Sequence, residues 1–147
     1  MTAKAPLRST AGQALVELAL TLPILVLLMV GIADIGFYAY VAIQVSNAAH
    51  AGVQYGAQNH ATASDTPGMQ AAAIEDAANL TGMTATPSHF CSCSDGTSSN
   101  CTAGSCTTRM IEFVQVKTTA TMHPLIPYPG FPSTLTLTGE AIMRVEQ

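Results

Sequence analysis

Tryptophan is absent from this 147-residue chain, and charge is scarce: Asp, Glu, Lys and Arg make up 10% of it, against about 25% in an ordinary soluble domain. Positive charge is the rarest commodity, with five Lys and Arg against nine Asp and Glu for a net charge of −4. No Lys or Arg occurs between Arg8 and Arg109. A nucleic-acid surface needs a basic stripe to neutralise phosphates, so nucleic acid is excluded as a partner. A Gly-rich phosphate loop is missing, as is a Ser/His/Asp or Cys/His set at informative spacing. The adjacent acids Glu75 and Asp76 point in different directions on a helix and read as a solvated face. These absences argue against an enzyme, and no cofactor is expected. The length suits one domain with a single small core.

What is present begins with hydrophobicity. Residues 18–33 carry no charge, and beyond Asp34 the apolar stretch continues to Ile43. At 1.5 Å per residue these lengths are ~24 Å and ~39 Å, bracketing the ~30 Å hydrocarbon core of a bilayer. Lys4 and Arg8 precede the stretch and the next basic residue is Arg109, so the positive-inside bias keeps the amino end in the cytoplasm and exports the rest. The competing reading is a cleaved secretory signal, for which Ala49-His50-Ala51 offers an Ala-x-Ala triplet. The apolar stretch exceeds a 7–15-residue signal core, and Glu17 stands at its start, which favours a retained anchor.

Two acids interrupt this stretch at a cost of at least ~2.5–3.5 kcal/mol each if held ionised at the bilayer centre. Asp34 sits near the outer end beside Tyr38 and Tyr40, where either headgroups or a partner contact would satisfy it. Glu17 sits at the inner end, and Pro23 then removes a backbone donor, loosening the helix locally. Their separation of seventeen residues, ~26 Å along a helix, disfavours a shared ion path.

No proline occurs between Tyr40 and Asn59, so the helix continues past the membrane as a rod of up to ~45 residues. Ala48, Gly52 and Gly56 recur every fourth residue and allow close approach of another backbone. Either the protein's own sheet or a neighbouring subunit's helix fits this groove. Ser64-Asp65-Thr66-Pro67 reads as the capped start of a short second helix with Gly82 as its stop. Strands are expected near 84–90, 110–122 and 135–145, the second presenting Val114, Val116, Thr118, Ala120 and Met122 on one face. Pro124, Pro127, Pro129 and Pro132 form a connecting loop or edge, and Gly139 a bulge.

Four cysteines fall within sixteen positions, and with only eight Phe and Tyr they suit a small exported domain better than a large catalytic one. Cys91, Cys93, Cys101 and Cys106 do not match the usual zinc spacings, so two disulfides are the better reading. A 91–93 bridge is sterically strained, leaving 91–101 with 93–106, or 91–106 with 93–101. His89 could complete a metal site with the cysteines but reads better as a solvated loop residue. His50, His60 and His123 have no ligand-like neighbour in sequence, and no metal is expected.

The stretch Gly12-Gln13-Ala14-Leu15-Val16-Glu17 resembles the processing site of type IV prepilins. Followed by Leu22-Pro23, Gly31-Ile32-Ala33-Asp34-Ile35-Gly36 and Asn47-Ala48-Ala49-His50-Ala51-Gly52, it is similar to the TadE-like family, minor pilins or pseudopilins of tight-adherence (Flp, type IVb) pilus systems. The chain end, Ala141-Ile142-Met143-Arg144-Val145-Glu146, resembles that family's closing strand. The resemblance implies an α+β, type IV pilin-like fold: a long transmembrane helix leading into an exported domain with a short second helix and an antiparallel sheet. It implies a leader, residues 1–12, cut between Gly12 and Gln13 by a prepilin peptidase. Residues 13–43 would then be the transmembrane part of the helix, 44–63 its exported continuation, and 64–147 the exported domain with its disulfide loop 91–106. The implied partners are the bacterial inner membrane, that peptidase, other pilin subunits and the pilus assembly platform, with the exported domain in the periplasm or in an extracellular pilus that supports surface attachment. Two positions depart from the pattern: Leu18 replaces the usual aromatic, and the new first residue is Gln13, which can cyclise and lose its charge. The alternative is an exported, membrane-tethered enzyme or ligand-binding protein unrelated to pili.

Overall fold

In the computed structural model, residues 10–102, 105–124, 130 and 132–146 are described. The expected leader's residues 1–9, with Lys4 and Arg8, and the loop residues Pro127 and Pro129 lie outside them. The elements run α1 (Thr10–Gly56), α2 (His60–Ser64), α3 (Thr66–Asp76), β1 (Thr84–Cys93), β2 (Ser98–Ser99), β3 (Met110–Met122) and β4 (Leu135–Arg144). They fall into two compact units, 1–36 and 37–147.

The first unit is helical. Apolar side chains face outwards from it at Leu15, Val16, Leu18, Leu20, Ile24, Leu27, Leu28 and Ile32, positions that together encircle the helix, as in a span whose solvent is lipid. Gly12–Gly56 is one helix long and apolar enough to cross a membrane. Pro23 lies inside it, and the Thr21 hydroxyl donates to the carbonyls of Glu17 and Leu18 at 2.9 and 3.3 Å.

The second unit is an antiparallel sheet of order β2-β1-β3-β4 packed on residues 37–56 of α1 and on α3. Alternation on β3 buries Val114, Val116, Thr118, Ala120 and Met122, as their period of two requires. They meet Val41, Val45, Ala48, Ala49 and Val53 of α1 and Met69 and Ala73 of α3 in two adjoining core clusters. Pro87 is tolerated inside β1 because β2 covers that strand only at Cys91 and Ser92, leaving the proline on an open edge where no donor is needed. On the outer face Phe90 and Phe113 stack with centroids 5.5 Å apart.

Three expectations are corrected. The long helix ends at Gly56 rather than running to residue 63, because Asn59 adopts extended geometry and caps a new helix, α2. Its side chain accepts from the Ala61 and Thr62 amides at 2.9 and 3.1 Å, while the Thr62 hydroxyl accepts the Asn59 amide. The second predicted helix, α3, stops at Asp76 with Ala77 as its cap, short of Gly82, which instead takes φ +78° in the following turn. Gly139 is not a bulge: β3 and β4 pair without interruption from Phe113↔Arg144 to Met122↔Leu135. Its role is close approach, since a Cβ there would lie 2.6 Å from the Val45 carbonyl oxygen and 2.9 Å from the Ser46 Cα.

Candidate functional site

Gly12 and Gln13 lie in the first turns of α1 and are exposed, as is Glu17. Asp34 lies on the same helix and is partly buried. The structure does not bring the two acids together: seventeen residues of one helix separate them, ~26 Å along its axis.

The small-residue groove is occupied by the protein's own domain. A Cβ on Gly52 would sit 3.0 Å from both the Met69 carbonyl oxygen and Val116 Cγ2, and one on Gly56 would meet Met69 and, at 3.3 Å, Val114 Cγ1. Ala48 is fully buried in the same packing. Of the two occupants that the sequence allowed, the sheet and α3 fill the groove. The buried Thr118 hydroxyl locks the contact by donating to the Val45 carbonyl at 2.6 Å. Such a hydrogen bond inside an apolar core satisfies a group that would otherwise be costly to bury.

The cysteines form two disulfides, Cys91–Cys101 and Cys93–Cys106, with Cα separations of 5.1 and 5.6 Å. They staple a loop that has little core of its own to the end of β1. Within it Asp95 accepts hydrogen bonds from the Thr97 hydroxyl and amide, which hold its carboxyl below the usual carboxylate range. At the start of α3, Asp65 accepts from the Tyr55 hydroxyl at 2.8 Å and from the Gly68 amide at 3.0 Å. Those two bonds lower its pKa, and the same carboxylate raises that of Tyr55. At the far end of the sheet an open cavity of about 370 Å³ is lined by Arg109, Arg144, Val145 and Glu146.

Sequence reasoning missed one cluster. Glu112 lies in the inward phase of β3 and is buried, His89 points inward from β1, and His60 opens α2. His60 Nδ1 contacts Glu112 Oε2, and His89 Nε2 lies 2.6 Å from Glu112 Oε1. His89 is therefore a strand residue in contact with Glu112 rather than a solvated loop residue. A signal existed: an acid in the inward register of an otherwise apolar alternation must find a partner. His60 could not be named because 52 residues separate it from Glu112. His89 Nε2 is also 3.9 Å from Cys101 Sγ, and His89, Cys91 and Cys101 bring possible ligand atoms within 4.8 Å of one another. Both sulfurs are spent in the disulfide, so they offer no thiolate to a metal.

With the apolar helix, its leading Gly12-Gln13 and Glu17, and the small-residue face in place, comparison with known families finds a match to the amino-terminal part. The TadE-like protein family matches residues 12–54. This TadE-like segment covers the exposed apolar stretch and the helix face that carries Ala48 and Gly52, and stops before the sheet. Together with the membrane-capable helix, that match is consistent with association with a membrane. No curated protein and no solved structure matches the chain.

Proposed function

We propose that the chain is a minor pilin or pseudopilin, a non-enzymatic component that takes part in the assembly or initiation of a tight-adherence pilus and so supports surface attachment. The observation that carries this reading is the TadE-like segment itself: Gly12-Gln13 and Glu17 leading directly into an apolar helix whose large side chains are exposed. A prepilin peptidase cuts between Gly12 and Gln13, where the lack of a Cβ lets the backbone enter a protease cleft closely. The cut leaves a new ammonium group at the inner membrane edge, within reach of the Glu17 carboxylate of an adjacent subunit. Such a pair is far less costly in a low dielectric than either charge alone. Asp34 serves the outer end of the same helix, and the assembly platform receives the processed subunit. The amino end stays cytoplasmic and residues beyond the helix are periplasmic, which follows from the absence of Lys and Arg between Arg8 and Arg109.

The deciding experiment is the amino-terminal mass of the protein recovered from the membrane. A mature chain starting at Gln13, with or without loss of ammonia by cyclisation, supports the proposal; a chain starting at Gly52 identifies an ordinary secreted domain and ends it. Glu17→Ala is expected to be processed normally yet fail to incorporate into pili. Normal piliation in that variant would remove Glu17 from the mechanism.

A further inference from the structure

Glu112 is the one acidic side chain in the buried class among the described residues, and the partners it has recruited are both imidazoles. A buried carboxylate must be compensated, and arginine or lysine is the usual means. Here Arg109, Lys117 and Arg144 are all exposed, whereas three different elements, α2, β1 and β3, converge to set His60 and His89 on the two oxygens of one carboxylate. Two of the chain's four histidines meet its most buried acid in this way.

We propose that His60, His89 and Glu112 form a zinc-binding site. Neutral imidazole and carboxylate make a borderline nitrogen and oxygen donor set that suits Zn²⁺, and three protein ligands leave a fourth position for water. The two rings approach opposite oxygens of Glu112, so an ion chelated by both oxygens would have one imidazole nitrogen on each flank. Closing the set on one ion asks for a rotation of the His60 ring. That side chain is 63% exposed, against 20% for His89 and 7% for Glu112, and it stands on the first residue of a five-residue helix. The same exposure gives the ion its way in. Binding exchanges each imidazole–carboxylate hydrogen bond for a metal–nitrogen bond. The neighbouring Cys91–Cys101 disulfide contributes shape and no ligand, which makes this a site for an oxidised protein. Its consequence is mechanical: zinc ties α2, the segment that follows the long helix, to the central strands of the sheet. The inference does not depend on the role proposed in pilus assembly.

The test uses the full chain in detergent with both disulfides intact, stripped with a chelator and titrated with ZnCl₂ by calorimetry in buffers of different ionisation enthalpy. One saturable ion per chain is expected, together with a higher thermal midpoint in zinc. Co²⁺ in place of zinc should give visible d–d absorption without a thiolate charge-transfer band. His60→Ala and His89→Ala should each weaken binding at least tenfold, while His50→Ala and His123→Ala leave it unchanged. Because His60 is on the surface, His60→Ala keeps the test valid even if Glu112→Gln does not fold. No saturable binding, uptake only after reduction of the disulfides, or equal affinity in His60→Ala and the parent chain would each overturn the proposal.

Discussion

Within α1, residues 13–36 and residues 41–56 belong to one continuous helix and yet are written in two different alphabets. The earlier stretch uses large side chains around its whole circumference, and they are exposed: Leu20 at 69%, Ile32 and Ile35 at 70%. The later stretch uses Val, Ala and Gly at recurring positions, and Val45, Ala48, Ala49 and Val53 are wholly buried. Side-chain size without periodicity marks a helix that meets a featureless apolar solvent. Small size with periodicity marks a helix that meets another backbone at close range. Hydrophobicity alone distinguishes neither, and a hydropathy window runs through both.

The comparison can be broken at several points. The sheet unit holds cross-links that the apolar stretch does not have, so replacing Cys91 and Cys101 with Ser should lower its stability by about 2–5 kcal/mol. Chemical unfolding followed by tyrosine emission measures this loss; an unchanged midpoint would mean that the loop needs no staple. Next in size is the helix–sheet seam. Gly139→Ala places a methyl group against the Val45 carbonyl and the Ser46 backbone, and overpacking of this kind costs about 1–3 kcal/mol. Leu25→Ala in the exposed stretch should leave the sheet unit's thermal midpoint unmoved, and a matching drop in the two variants would erase the distinction between the stretches. Thr118→Val removes the hydroxyl that holds the Val45 carbonyl, at about 1 kcal/mol, read as a shift in urea midpoint without a change in slope.

The smallest effect is one of pH. Because the Tyr55 hydroxyl and the Gly68 amide lower the Asp65 pKa in the folded chain, Asp65 contributes stability that is complete above the ordinary aspartate value of ~3.9. That contribution is lost as pH falls through the lower folded value. Asp65→Asn should therefore flatten the acid limb of the stability profile below about pH 4 while leaving its shape near neutrality unchanged. Coincident acid limbs in the two proteins would show that the bond to Tyr55 does not favour the ionised form.

Much of this was written locally. The apolar run, the Asp65 cap with Pro67 in the first turn of α3, and the period-two alternation from Val114 to Met122 are short-range patterns, and the structure carries them at those residues. Strand β1 extends to Cys93 instead of ending at Phe90 because the register with β3 continues through Cys93↔Met110, a pairing that no local pattern in residues 84–93 announces. The bulge expected at Gly139 failed for a similar reason: a glycine's freedom is visible in sequence, but whether it serves a turn or the passage of another backbone depends on what packs there.

Residue order alone therefore settled the existence of the apolar helix, the alternating strand and the cysteine-bounded loop, since each follows from spacings shorter than a helix turn or from an uninterrupted composition. Folding in three dimensions decided what lies in the groove of Ala48, Gly52 and Gly56, which cysteines pair, and that His60 and His89 meet on Glu112. Those outcomes join residues far apart in the chain, 73 positions in the Thr118 bond to Val45. Contacts at such range are selected by the shared burial of whole elements, and no single segment holds the free energy that fixes them.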